Sequence, residues 1–219
     1  MLTNQILNKV KQTGVSLSLF LYPLFAGFAF AVHPNLLSLE IGYEVQKKID
    51  EFHGNTLLHF GHFLMLLGAL LLIVIALHFM NKMENSKPWL GWIGGVLAIF
   101  GAVILAVDKS ALCLVPSALD MLPEAQFQQM QPGIEAIFHY QGWLWVLNLL
   151  PILPVGFILQ GIGLVSSKVI DRKMAVPILI GSILMANPDI DIIGLVATAF
   201  LAVGFYPYAI QLVKETFSK

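Results

Sequence analysis

LLHFGHFLMLLGALLLIVIALHFM, the run from Leu57 to Met80, decides the fold. Crossing the hydrocarbon core of a bilayer takes about 20 mainly apolar residues, and this run exceeds that length without a single Asp, Glu, Lys or Arg. No soluble helix would be apolar on every side, because one face has to meet water. Working outward from it, further runs of similar character occupy residues 15–33, 89–115, 138–165, 174–187 and 191–213. The first follows a basic start, and its Ala29-Phe30-Ala31 imitates a signal-peptidase site; an uncleaved helix is expected. Pro151 and Pro154 predict a kink in the fourth, since proline removes a backbone donor. The last two are separated only by Asn187-Pro188-Asp189-Ile190-Asp191 and read as a helical hairpin whose first arm is short. The expected architecture is all-α: one membrane-embedded bundle of about six transmembrane helices filling residues 1–219.

Composition agrees. Hydrophobic residues make up 58% of the chain and charged residues 11%, against about a quarter charged in an ordinary soluble domain. A net charge of −1 without a basic patch excludes nucleic acid as a partner. One cysteine, Cys113, leaves no intramolecular disulfide and no Cys-x-x-Cys motif. No inverted repeat of the transporter kind is visible. Membrane lipid and a small lipophilic ligand are the partners that this composition predicts.

Lysine and arginine in short loops are retained on the cytoplasmic side. With the amino terminus inside, the inner segments hold Lys9, Lys11, Lys82, Lys87, Lys168, Arg172, Lys173, Lys214 and Lys219, while the outer ones hold Lys47, Lys48 and Lys109. That bias predicts both termini in the cytoplasm and a location in the bacterial inner membrane. Trp89, Trp92 and Trp143 fall near predicted helix ends, where amphipathic rings favour the interface. Of the two longer outer segments, Leu36 to Phe52 mixes apolar and charged positions as an interfacial amphipathic helix does. Leu119 to Ile137 is the second, and together they are expected to cap the outer face.

The histidines carry the functional argument. His33, His53, His59, His62 and His139 all map to the outer side, and only His78 maps inside. His59 and His62 are three apart and share a helical face, with Asn55 extending the stripe. Gly61 and Gly68 lie on another sector, where they admit a neighbouring helix closely. Asp108, beside Lys109 inside the third helix, is costly in a membrane unless it meets a partner or a watery cavity. Asp189 and Asp191 lie on the turn toward the same side. Imidazole with carboxylate suits a divalent metal, zinc foremost, and a catalytic zinc site takes three protein ligands with one open position. His59, His62, Asp108 and His139 are therefore the candidate metal ligands, with Asp189 the candidate base for hydrolysis of a lipid-like substrate.

Other readings stand beside this one. A non-catalytic carrier, binding or interaction protein needs only the polar outer pocket. Haem-based electron transfer would use His62 with His139 as axial ligands, and is less favoured because the other face has only His78. The plainest reading makes these groups hydrogen-bonders at headgroup level, with His78 a snorkelling interface residue, Cys113 a packing residue, and Asn148 and Gln160 interhelical hydrogen-bonders.

The pattern His139-Tyr-Gln-Gly-Trp-Leu-Trp145, then Leu150-Pro-Ile-Leu-Pro-Val-Gly-Phe157, a basic loop and Ala175-Val-Pro-Ile-Leu-Ile-Gly-Ser182 resembles a family of small bacterial six-helix membrane proteins without assigned function. The likeness covers about the last third of the chain. Because its motifs are helix-packing and turn residues, what it implies is topology. A looser likeness, to membrane hydrolases of the alkaline ceramidase type, rests on histidines with aspartate in a helical bundle and is an analogy.

Overall fold

In the computed structural model, which describes residues 2–39, 44–187 and 190–218, five helices are long and apolar enough to cross a membrane. They cover Gln5–Ala31, Thr56–Met83, Pro88–Leu119, Gly142–Ser167 and Asp191–Phe217. The elements in chain order are α1 (Leu2–Ala31), α2 (Val45–Phe52), α3 (Thr56–Met83), α4 (Pro88–Lys109), α5 (Val115–Leu119), α6 (Glu124–Phe138), α7 (Ile152–Ser167), α8 (Arg172–Leu184) and α9 (Asp191–Phe217). A π-turn, Ser110–Leu114, joins α4 to α5, and a 3₁₀ segment, Gly142–Leu149, leads into α7. No strand occurs among the described residues.

Local chemistry explains the boundaries. Asn55 caps α3 by accepting from Leu58 N–H at 3.1 Å, and Asp171 caps α8 by accepting from Lys173 N–H at 2.9 Å. Pro88 opens α4 at a position whose amide would have no helical acceptor. The helix expected over residues 138–165 is broken in two. Tyr140 and Gly142 turn the chain at φ +54° and +61°, and Pro151, unable to donate, separates the 3₁₀ segment from α7. The short arm of the expected hairpin is α8. Its 13 residues rise about 20 Å, less than a hydrocarbon core of about 30 Å.

Helix α1 packs on α3, α3 on α4, α4 on α7, α7 on α8, α8 on α9, and α9 returns to α1. Six helices thus close a ring in which sequence neighbours run antiparallel. Gly194 of α9 faces Phe30 near the end of α1 while Thr198 faces Gly27, and Gly61 and Gly68 of α3 face Ala29 and Tyr22 of α1. The closest approach is α4 on α7. A Cβ on Gly156 would lie 2.3 Å from the Ala98 amide nitrogen and 2.6 Å from the Gly94 carbonyl oxygen. Only a residue without a side chain fits there, the small-residue contact by which helices pack in lipid.

The ring has two unlike ends. At one, Lys82, Lys87, Lys168, Arg172 and Lys173 flank helix termini, and Lys9, Lys82 and Glu215 line a shared polar recess. Above that end the interior is filled by Phe79, Met83, Leu164, Phe205 and Tyr208. Gln160, fully buried, donates to the Ala76 carbonyl at 2.9 Å, the interhelical role expected of it; among the described residues Asn148 donates within its own turn, to Trp145 O. His78 is a correction: it is a buried residue whose Nε2 meets the Tyr208 hydroxyl at 2.7 Å, and it does not snorkel. At the other end lie the remaining histidines. There α2 and α6 form an outer layer joined by Ile49, Phe127 and Ile134, so the two amphipathic segments meet over this end through these helices, residues 40–43 of the first lying outside the described residues.

Candidate functional site at the histidine-bearing end

A cavity of about 440 Å³ opens at the histidine-bearing end and runs down the middle of the ring. Its wall takes side chains from α1, α3, α4, the 3₁₀ segment, α7, α8 and α9. Tyr22, Leu72, Phe157 and Phe205 form its deepest part, and the closed interior of the lysine-rich half lies beneath them. Lys109, Tyr140, Asn148, Asn187 and Asp191 make the rim polar. The opening follows from the shortness of α8: Met185, Ala186 and Asn187, just beyond its end, stand at the cavity wall where a longer helix would have continued. The size lies within the range of small-molecule sites, and an apolar wall with few polar groups is their usual character.

Beside the rim runs a chain of polar groups, buried at His62 and Cys113 and partly exposed at His33 and Asp191. Asp191, first residue of α9, holds His33 Nδ1 at 3.1 Å. His33, just past the end of α1, presents its Nε2 to His62 Nε2 of α3 at 3.0 Å. His62, only 7% exposed, turns its Nδ1 to the Cys113 thiol on the π-turn. Two imidazole nitrogens that face each other hold one proton between them. One assignment satisfies every contact: Cys113 S–H donates to His62 Nδ1, His62 Nε2–H to His33 Nε2, and His33 Nδ1–H to the Asp191 carboxylate. Four groups from four separate segments form one directional chain. Nearby, Asn35 donates to Glu51, whose carboxyl burial pushes above the usual range, with His33 and the α2 lysines working against the shift.

A second cluster sits in the outer layer. Asp120 accepts from the Gly54 amide at 2.9 Å, meets His53 Nδ1 at 2.5 Å and takes His59 Nε2 at 3.2 Å. His53 Nε2 lies 3.2 Å from Glu124. Gln128 donates to that exposed Glu124 at 2.6 Å and holds its carboxyl below the usual range, with His53 adding to the effect.

The four residues expected to share a metal go to separate partners. His59 binds Asp120, His62 binds His33 and Cys113, Asp108 is a buried ion-pair partner of its neighbour Lys109 at 2.9 Å, and His139 is an exposed cap at the end of α6. Asp189, the expected base, lies outside the described residues. Among the described residues no group of three or more His, Cys, Asp and Glu side chains is placed to hold a metal ion. The residues that do converge, His33, Asp191, Cys113 and Asp120, belong to segments whose spacing in sequence carries no motif. The only signal for them was that each sits at a helix end on one face.

No family model matches the chain, and no curated protein or solved structure matches it.

Proposed function

We propose that this is a multi-pass membrane protein that binds an amphipathic, lipid-like molecule in the cavity of its six-helix ring. One observation carries the reading: an apolar cavity closed at one half of the ring and polar at its mouth, the shape that an acyl chain with a headgroup fits. In this reading α8 is the sixth, short crossing, and its shortness leaves the entrance. The lysine-rich end faces the cytoplasm, with both termini inside, in keeping with retention of basic loops, and the plasma membrane of a bacterium is its location. Metal-dependent hydrolysis draws less support, because the expected ligands are dispersed.

The full-length protein, purified in mild detergent and examined by native mass spectrometry, is expected to carry a lipid released on denaturation. Leu105→Trp in the wall and Asn148→Trp at the rim should each lower occupancy at least tenfold while helicity is kept. Absence of bound lipid, together with no uptake of a fluorescent fatty-acyl probe, would overturn the proposal. For orientation, in a Cys113→Ala background, cysteine introduced at Ser38 should react with an impermeant maleimide on intact cells and cysteine at Ser86 should not.

A further inference from the structure

We infer that the ligand of the cavity is a zwitterionic amphiphile, an acyl chain ending in an aminoalkyl phosphate, held with its phosphate at Lys109 and its ammonium at Asp191. This assignment rests on the cavity reading and adds the headgroup to it. Charged side chains at membrane depth are costly, and those that persist pair with one another or face a watery space. Lys109 and Asp191 do both. Lys109, the last residue of α4, is bound to Asp108 at 2.9 Å, and Asp191, the first residue of α9, is bound to His33 at 3.1 Å. The cavity wall includes Lys109 and Asp191 but neither Asp108 nor His33. Each pair therefore shows the cavity one end only: the first its ammonium, the second its carboxylate.

These two ends stand across the mouth from each other. In the ring order α1, α3, α4, α7, α8, α9, α4 and α9 occupy opposite walls, and Lys109 and Asp191 both line the rim at the histidine-bearing end. Neighbouring polar groups sharpen the contrast. Asn187, just past α8 and so on the Asp191 side, donates its amide nitrogen to Ile190 O at 3.3 Å, which leaves its carbonyl oxygen as a second acceptor there. Glu51 stands behind His33, within reach of the Asp191 charge. On the facing wall the Lys109 ammonium is a compact point charge of the kind that suits phosphate, and it has donors beyond the one that Asp108 takes.

Charge balance selects among headgroups. Asp108 already cancels Lys109, so a purely anionic headgroup would bring an uncompensated negative charge to a mouth that already holds the Asp191 carboxylate. A purely cationic headgroup would leave Lys109 unmet. A zwitterion adds no net charge and meets both walls with charge-assisted hydrogen bonds, while its acyl chain lies against Tyr22, Leu72, Phe157 and Phe205.

The test titrates the full-length protein, in a non-ionic detergent, with four single-chain probes followed by native mass spectrometry: dodecanoyl lysophosphoethanolamine, dodecyl phosphate, dodecylammonium and the uncharged monododecanoylglycerol. The wild type should bind the zwitterion about tenfold more tightly than each of the others, the scale of one charged contact. Asp191→Asn should weaken the zwitterion and dodecylammonium about tenfold without weakening dodecyl phosphate. Replacing Asp108→Asn and Lys109→Gln together, so that no buried charge is stranded, should weaken the zwitterion and dodecyl phosphate and spare dodecylammonium. A loss of packing would lower all four together and cannot give this crossed pattern. If the double variant fails to fold, the Asp191→Asn comparison still decides. Equal binding of the four probes by the wild type, or an equal loss of all four in Asp191→Asn, overturns the headgroup assignment and leaves the cavity reading standing. Uptake of none of the four overturns both.

Discussion

The two histidine clusters at one end of this molecule use similar chemical groups in unequal surroundings. Asp191, His33, His62 and Cys113 are embedded among α1, α3, α9 and the π-turn, whereas His53, His59, Asp120 and Glu124 lie in the outer layer, with His53 and Glu124 open to solvent. In the first, His62 and Cys113 are closed off from water, so losing either strands the other, while His33 and Asp191 keep partial access. In the second, water can take the place of a partner lost by His53 or Glu124, whereas His59 and Asp120 are largely enclosed. Geometry that looks equivalent in distance is therefore unequal in energy.

The largest contrast is expected from His62→Ala against His53→Ala. The former leaves both Cys113 and His33 without their partner and should cost about 2 to 4 kcal/mol. The latter breaks exposed pairs and should cost under about 1 kcal/mol. Equal shifts in the denaturation midpoint in micelles would erase the distinction between the clusters.

Next comes Asp120→Ala, which removes one carboxylate from two imidazoles and the Gly54 amide. An effect of about 1 to 2 kcal/mol is expected, confined to the outer layer. Hydrogen exchange should quicken in α2 and α6 and stay unchanged in α3 beyond its first turns; acceleration along all of α3 would show that the layer and the ring unfold together.

Glu51 stands between the two regions and gives a smaller, pH-dependent effect. Burial raises its carboxyl above the reference of 4.5, so the folded state holds the proton more tightly than the unfolded one. Its favourable contribution is present below 4.5 and is lost as pH rises through the folded value. Glu51→Gln should accordingly stabilise the protein near pH 7 by a few tenths of a kcal/mol, solvent screening being strong at this site, and lose that advantage below pH 4.5. A stabilisation that persists unchanged at low pH would reject burial as the cause.

The smallest effect belongs to Glu124. Gln128 and His53 lower its carboxyl, so its contribution is present above 4.5 and lost as pH falls through the lower folded value. Gln128→Ala should move the titration of Glu124, followed by carboxyl carbon chemical shift, back up toward the reference. No movement would mean that the hydrogen bond is not what sets it.

Much of the bundle was legible because lipid imposes a simple rule: long runs without charge have to be helices that satisfy their own backbone. Leu57 to Met80, Trp89 to Val115 and residues 191–213 declared themselves in this way, and the spans found, Thr56–Met83, Pro88–Leu119 and Asp191–Phe217, extend them by a few residues, the second by passing through the π-turn. The run over 138–165 was legible as a span, found at Gly142–Ser167 with its irregularity at Pro151, but hydropathy does not register the left-handed Tyr140 and Gly142 that move its start or the 3₁₀ geometry of its first turns. Of the candidate site, the side on which it lies could be read, and its membership could not. His59 and His62 share a helical face, yet the first turns out to Asp120 and the second in to His33.

By itself, then, the sequence determined an all-α chain with apolar helices of membrane-crossing length, a lysine-rich end and a histidine-bearing end, because composition and run length act locally. Tertiary structure alone decided the rest. The ring exists because Gly94, Ala98 and Gly156 let α4 and α7 approach to backbone contact. The cavity exists because α8 stops short inside that ring. And Cys113 meets His62, and through His33 Asp191, because four helix ends distant in sequence converge, a matter of how helices pack and one that no spacing along the chain encodes.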